Sequence, residues 1–193
     1  MLQRLYDWVM GLAARRDAVW ALAAIAFIES SVFPIPPDVL LIPMILAARD
    51  KAWRYAAVCT IASVLGGILG YAIGYFLFET AGRPLLDFYG YGARFDSFRL
   101  DYNAWGAWIV FIAGVTPFPY KVITIASGAT QLDPWVFSIA SIAARGLRFF
   151  LVAALLWWAG PRIREFIEKR LGLMTILFCI LLIGGFVLLK YLL

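Results

Sequence analysis

Three prolines within four residues, Pro34, Pro36 and Pro37, interrupt one strongly apolar stretch of this chain, and Pro117 and Pro119 interrupt another. Proline fixes φ, lacks an N–H donor and disfavours the α conformation in the residue before it, so neither stretch can run as an unbroken helix. With 64% hydrophobic residues, 15% charged residues and a mean hydropathy of +0.86 over 193 residues, the chain is far too apolar for an ordinary soluble domain. In hydrocarbon every backbone N–H and C=O needs a partner, so irregular backbone is confined to places packed in protein or lining a watery cavity. Each break is therefore a candidate cavity lining, and each places a charged residue, Asp38 or Lys121, just past its last proline.

The two breaks are related. Displacing the chain by 83 residues lays Pro34 on Pro117, Pro36 on Pro119, Asp38 on Lys121 and Val39 on Val122, and a one-residue shift brings Trp53 onto Trp135. Paired halves with matching broken hydrophobic segments mark secondary transporters, whose site lies between the halves near the membrane midplane.

Segment lengths define the expected fold. The limbs flanking the first break hold about 16 and 11 residues, or about 24 and 16 Å of helix, against a hydrocarbon core of about 30 Å. Those flanking the second, Trp105–Thr116 and Tyr120–Gln131, give about 18 Å each. Neither pair crosses limb by limb. Re-entrant hairpins over 18–48 and 105–131 fit these lengths, and a single kinked crossing is the alternative. Full spans are expected over 55–78, 134–160 and 171–193, the second opened by Asp133-Pro134 as a helix start. The span 55–78 carries Gly66, Gly67, Gly70 and Gly74, which let another helix approach closely. Residues 1–17 and the connector 80–104 mix apolar and charged residues at roughly helical spacing and read as amphipathic surface helices. The expectation is one all-α integral membrane domain over 1–193. It is an inverted-repeat, transporter-like fold with two opposed re-entrant hairpins, about three full spans and amphipathic surface helices. A homodimer would form through the glycine face or the third span.

Several function classes drop out. The net charge of +5 sits in short basic groups beside apolar runs, which suits membrane orientation and anionic lipid better than nucleic acid. There is no histidine, and Cys59 and Cys179 lie 120 residues apart, so no zinc, haem or histidine-based catalytic site is expected and no cofactor is implied. No nucleophile and base stand in motif spacing, which argues against an enzyme, catalytic residues being expected to be none. The first apolar run carries Glu29 and continues past position 40, unlike a cleaved signal peptide. Basic residues do not decide between hairpins and crossings: loop 49–54 holds Arg49, Lys51 and Arg54, and loop 79–103 holds Arg83, Arg94 and Arg99. Both arrangements place the N-terminus and the 162–170 loop on one side, the cytoplasmic one.

Five ionisable residues fall in or near embedded positions: Glu29, Asp38, Lys121, Arg145 and Arg148. A lone charge at the bilayer centre costs about 2.5–3.5 kcal/mol even on the lenient insertion scale, so such residues pair with one another or line a pathway. Asp38 and Lys121 occupy equivalent points of the two halves, which suggests that the hairpin tips face each other. Arg145 and Arg148 are three apart and share a helix face. The five sum to +1, rising to +3 if both carboxylates take protons, so an anion, most suitably a phosphate, would bind the protonated form better. A structural reading stands beside this one. Asp38 with Lys121, and Glu29 with an arginine, would be internal salt bridges, and the arginines could lie shallow and snorkel to the interface.

At these residues a family resemblance appears. Glu29-Ser-Ser-Val-Phe-Pro34-Ile-Pro36-Pro-Asp38 resembles the acidic, proline-rich motif of the DedA membrane family, also called the VTT or SNARE-associated domain. Gly67-Ile-Leu-Gly70-Tyr71-Ala-Ile-Gly74 is similar to its glycine motif. Gly114-Val-Thr116-Pro117-Phe-Pro119-Tyr120-Lys121, with Ser127-Gly128-Ala129, most resembles the small bacterial YqaA branch. The likeness covers about residues 27–160. It implies two opposed re-entrant hairpins, a multi-pass protein of the bacterial inner membrane, and a role in moving lipid between leaflets. Undecaprenyl phosphate is the lipid linked to bacterial members, and eukaryotic relatives are phospholipid scramblases. It also matches Glu29 and Asp38 to the family's essential acidic pair. One departure is clear: where typical members carry an arginine on each side of the second hairpin's proline, this chain has Gly114 and Tyr120. Lys121, Arg145 and Arg148 are the candidates to supply the missing charge, and the substrate need not be the same lipid.

The expected function is therefore translocation, as a flippase or scramblase, of an anionic lipid or lipid-linked phosphate, with proton coupling as a further expectation. A small-anion transporter and a membrane enzyme acting on lipid phosphate are the competing classes.

Overall fold

The computed structural model describes residues 17–32, 36–116 and 118–160. The surface helix expected at the N-terminus, the 162–170 loop, the span 171–193, Pro34 and Pro117 lie outside the described residues.

The prolines divide the chain where the sequence requires. Helix α1 (Ala18–Ser31) ends before the first break and α2 (Asp38–Ala47) follows it. At 14 and 10 residues they are about 21 and 15 Å long, so neither reaches across a bilayer core of about 30 Å. A single tight turn, Arg49–Lys51, leads into α3 (Ala52–Leu77). A wider turn, Phe78–Gly82, then carries the helical path without a gap into α4 (Arg83–Phe88), so Arg49–Phe88 is one run of 40 residues. Gly90, with φ of 73°, reverses the chain in a conformation that glycine adopts without strain. Helix α5 (Gly92–Val115) reaches the second break, and α6 (Tyr120–Ala129) leaves it. Helix α7 (Pro134–Gly160) completes the described chain. Its start is capped by Asp133, whose Oδ1 accepts the backbone N–H groups of Trp135 and Val136 at 2.9 and 3.0 Å, with Pro134 at the first helical position.

The order helix, break, ten-residue helix, long helix thus occurs twice. All regular structure among the described residues is helical. Among the described residues two helices, Arg49–Phe88 and Pro134–Gly160, are long and apolar enough to cross a membrane. One boundary differs from the expectation. The connector over 80–104 and the limb beginning at Trp105 are not separate elements, because Gly92–Val115 is continuous. The chain offers no proline between Pro84 and Pro117, and Gly106, buried against Leu132, is tolerated within the helix.

Helix α3 is the central post, packed along α1 on one side and α6 on the other. Its glycines make this possible. A Cβ at Gly66 would strike the backbone of Phe27 in α1, and one at Gly74 would strike the backbone of Ile125 in α6. Gly70 meets both neighbours, at Thr124 and at the Ser30 carbonyl. Gly67 lies against Tyr120 and Thr124, and Gly128 of α6 returns the approach against Tyr71. The glycine face is therefore consumed within the chain and leaves no free surface for a second copy at these positions.

Two apolar clusters result. One joins α1, α2 and α3 with Phe149, Ala153 and Leu156 of α7. The other gathers Tyr102, Val110, Tyr120, Leu132, Phe137 and Ala140. The outward faces are also apolar, with Trp20, Ile61, Phe76, Ile139 and Trp158 all largely exposed. An outer surface this apolar is unsuited to water and suited to lipid.

Candidate functional site

The five ionisable residues expected in embedded positions come together where the two breaks meet. Arg145, on α7, is almost wholly buried at 1% exposure. Its Nη2 donates to Glu29 Oε2 at 2.8 Å. Its Nε donates to Ser63 Oγ at 2.6 Å, and Ser63 Oγ lies 2.7 Å from Ser30 Oγ. Ser30 in turn reaches Glu29 Oε2 at 3.1 Å and the Ala26 carbonyl at 3.0 Å. One proton order satisfies this set: arginine to Ser63, Ser63 to Ser30, Ser30 onward to the carboxylate or the carbonyl. The flat guanidinium is held between two rings, its carbon 4.8 Å from the centre of Tyr120 and 4.7 Å from that of Phe149. Phe149 belongs to the first apolar cluster and Tyr120 to the second, so Arg145 is the polar rivet between them. Tyr120 is itself fixed by a 2.5 Å hydrogen bond from its hydroxyl to Ser141.

Arg148, three residues on, serves the other limb of the first break. Its Nη2 stands 2.5 Å from Asp38 Oδ2, and its Nη1 donates to the Thr116 carbonyl at 2.9 Å, at the edge of the second break. Asp38 opens α2, where the unpaired N–H groups of a helix start favour a negative charge. Its other oxygen, Oδ1, is buried without a hydrogen-bond partner among the described residues. Glu29 and Asp38 are thus each held by an arginine of the same α7 face. The alternative pairing of Asp38 with Lys121 does not form: Arg148 reaches Asp38 first because a guanidinium forks, one arm to the carboxylate and one to Thr116.

Lys121 is left with a different role. Its Nζ makes a 3.4 Å contact with the Val32 carbonyl and enters no ion pair among the described residues. That contact spans the two breaks, as does the 3.1 Å hydrogen bond from Thr124 to the Ser30 carbonyl. The segments flanking the two breaks therefore meet across these contacts. Between them lies a cavity of about 230 Å³. Pro36 and Pro37 wall it from the first break and Phe118 and Pro119 from the second, while Glu29, Lys121, Arg145 and Arg148 supply its charge. Two ion pairs hold Glu29 with Arg145 and Asp38 with Arg148, and Lys121 is the one charged residue on the wall that enters no ion pair among the described residues. No cluster of metal-ligating side chains occurs among the described residues.

Ser30, Ser63 and Tyr120 belong to the site and were not picked out as site residues by the sequence. Ser30 adjoins Glu29, but nothing in the spacing joins Ser63 to Arg145, 82 residues away. The only signal was general: a hydroxyl in an apolar helix needs a partner.

The VTT domain family model matches residues 35–157. An uncharacterized protein of Haemophilus influenzae is 38% identical over 167 residues, 86% of each chain. A second uncharacterized protein, from Histophilus somni, is 34% identical over 158 residues, 82% of each chain. No solved structure matches the chain.

Proposed function

Because the chain belongs to the VTT domain family, a family of membrane proteins, we propose that it translocates an anionic lipid or lipid-linked phosphate, with the head group passing through the cavity between the two breaks. The observation that carries this reading is Lys121, which enters no ion pair among the described residues, on the wall of a cavity whose other three charged residues, Glu29, Arg145 and Arg148, are each paired. Phosphate is the anion best suited to a site where lysine and two arginines converge. Both limbs of the first break, and the limb that leaves the second, are too short to cross alone, which supports a re-entrant arrangement that puts the site at bilayer depth. There a lipid can bring its head group to the charges while its chains stay in hydrocarbon. In a bacterial cell the protein would sit in the inner membrane, with undecaprenyl phosphate as one suitable substrate.

Proton coupling fits the same geometry. Asp38 Oδ1 has no hydrogen-bond partner among the described residues, and loosening the Asp38–Arg148 pair would free Arg148 to bind the head group.

The test is leaflet exchange of fluorescent phosphatidate and of a polyprenyl phosphate in proteoliposomes. Exchange faster than in protein-free vesicles is expected for an anionic lipid, with acceleration by an imposed pH gradient. Uptake of radiolabelled inorganic phosphate without lipid exchange would make the protein a small-anion transporter. Release of free phosphate from the polyprenyl phosphate would make it an enzyme.

A further inference from the structure

Beside the charged cavity runs an apolar groove of about 570 Å³ between the second half of α5 and the start of α6. Trp105, Trp108 and Ile112 form one side, and Phe118 and Ile123 the other. None of its lining residues is ionisable. Two residues tie it to the charged site. Phe118 lines both hollows. Thr116 lies at the groove's inner end and gives its carbonyl to Arg148 Nη1 at 2.9 Å.

The dimensions fit an alkyl chain. Eleven residue steps separate Trp105 from Thr116, about 16 Å of helix and close to half of a hydrocarbon core of about 30 Å. The groove is therefore as long as one leaflet is deep. It ends beside the cationic wall, where an amphiphile changes from apolar chain to charged head. Its lining stands open rather than filled by neighbouring side chains among the described residues: Trp105 is 64% exposed, Trp108 61% and Ile112 57%.

We infer that this groove holds the alkyl chain of the anionic amphiphile whose head group occupies the cavity, with Phe118 as the partition between the two; the inference rests on the anionic-lipid reading above. A second apolar hollow of about 480 Å³, between α5 and α7 and lined by Phe111 and Ile139, has no charged lining residue. It meets bulk lipid and serves as an internal reference.

The test uses the full chain in phosphatidylcholine vesicles holding a trace of phosphatidate with a diazirine near the end of one acyl chain. After photolysis, labelled peptides are mapped by mass spectrometry. Labelling around Ile112 and Ile123 should exceed that around Val136 and Ile139, the part of the reference hollow that α7 supplies. Excess dodecyl phosphate should compete it away, and Lys121→Gln should lower it roughly tenfold, the weight of one charge-assisted contact. Ile112→Trp, which fills the groove, should reduce both groove labelling and leaflet exchange, with Phe118→Ala as a second variant if the first fails to fold. Equal labelling of the two hollows, no labelling in the groove, or groove labelling indifferent to Lys121→Gln would each overturn the inference. Were lipid exchange to persist in those cases, the transport reading would stand without the groove. Absence of exchange in the wild type would instead remove the transport reading itself.

Discussion

Arg145 Nη2 stands 2.8 Å from Glu29 Oε2, a contact that joins residues 116 positions apart and closes the two parts of the chain on each other. With Arg148 and Asp38 it forms a double clamp from one face of α7 onto both limbs of the first break. The two clamps are not equivalent. The first centres on the buried Arg145, tied into hydroxyls and aromatic rings, with Glu29 13% exposed, whereas Arg148 and Asp38 are 19% and 22% exposed. On the proposed reading the first holds the fold and the second exchanges partners.

Arg145→Gln should therefore act through stability. Removing one partner from a buried pair costs about 3–5 kcal/mol because the other charge is left uncompensated. A double-mutant cycle with Glu29→Gln, followed by thermal unfolding in detergent, should show that the double variant recovers part of the loss. Arg145→Lys should not rescue, since an ammonium cannot reach Ser63 and Glu29 together in the geometry of the fork.

Replacing Tyr120 separates its hydroxyl from its ring. Tyr120→Phe loses the bond to Ser141 at a cost of about 0.5–1.5 kcal/mol and keeps the face against Arg145. Tyr120→Leu should add about 0.5–2 kcal/mol for the lost ring–cation contact. Unfolding midpoints of the two variants check the order.

The glycines of α3 give a prediction with a built-in control. Gly66→Ala and Gly74→Ala each push a Cβ into a neighbouring backbone and should destabilise by about 1–3 kcal/mol, the usual range for overpacking. At Gly146 the nearest atom is Thr60 Cγ2 at 3.8 Å, so Gly146→Ala should be neutral or gain up to about 1 kcal/mol from helix propensity. Yield of monodisperse protein and melting temperature would report both.

How far the site could be read ahead of the structure depended on what each residue announces locally. The prolines fixed the two breaks because their effect on the backbone is intrinsic, and Asp133-Pro134 marked the start of α7 for the same reason. The glycine face was legible as a packing face, though not which helices it would receive. The convergence of Glu29, Asp38, Lys121, Arg145 and Arg148 followed from the cost of a lone charge in hydrocarbon, which demands partners without naming them. The assignment of partners was not legible: Asp38 to Arg148 rather than to Lys121 turns on a fork that also finds the Thr116 carbonyl. The continuity of α5 through 104 was missed because its charged first half and apolar second half read as different environments, and a helix can pass from one to the other without a break. The pairing of Ser63 with Arg145 is set by tertiary approach alone.

The claim at the centre is that Lys121 presents the charge that draws a lipid head group into the cavity. Among the described residues its Nζ makes a single long contact, so Lys121→Gln should leave the melting temperature nearly unchanged. The decisive measurement is leaflet exchange of fluorescent phosphatidate in proteoliposomes, comparing the wild type, Lys121→Gln and Arg83→Gln, which alters a surface pair at 3.8 Å. Exchange in the wild type and in Arg83→Gln, reduced roughly tenfold or more in a folded Lys121→Gln, is the predicted result. Equal exchange in all three would contradict it.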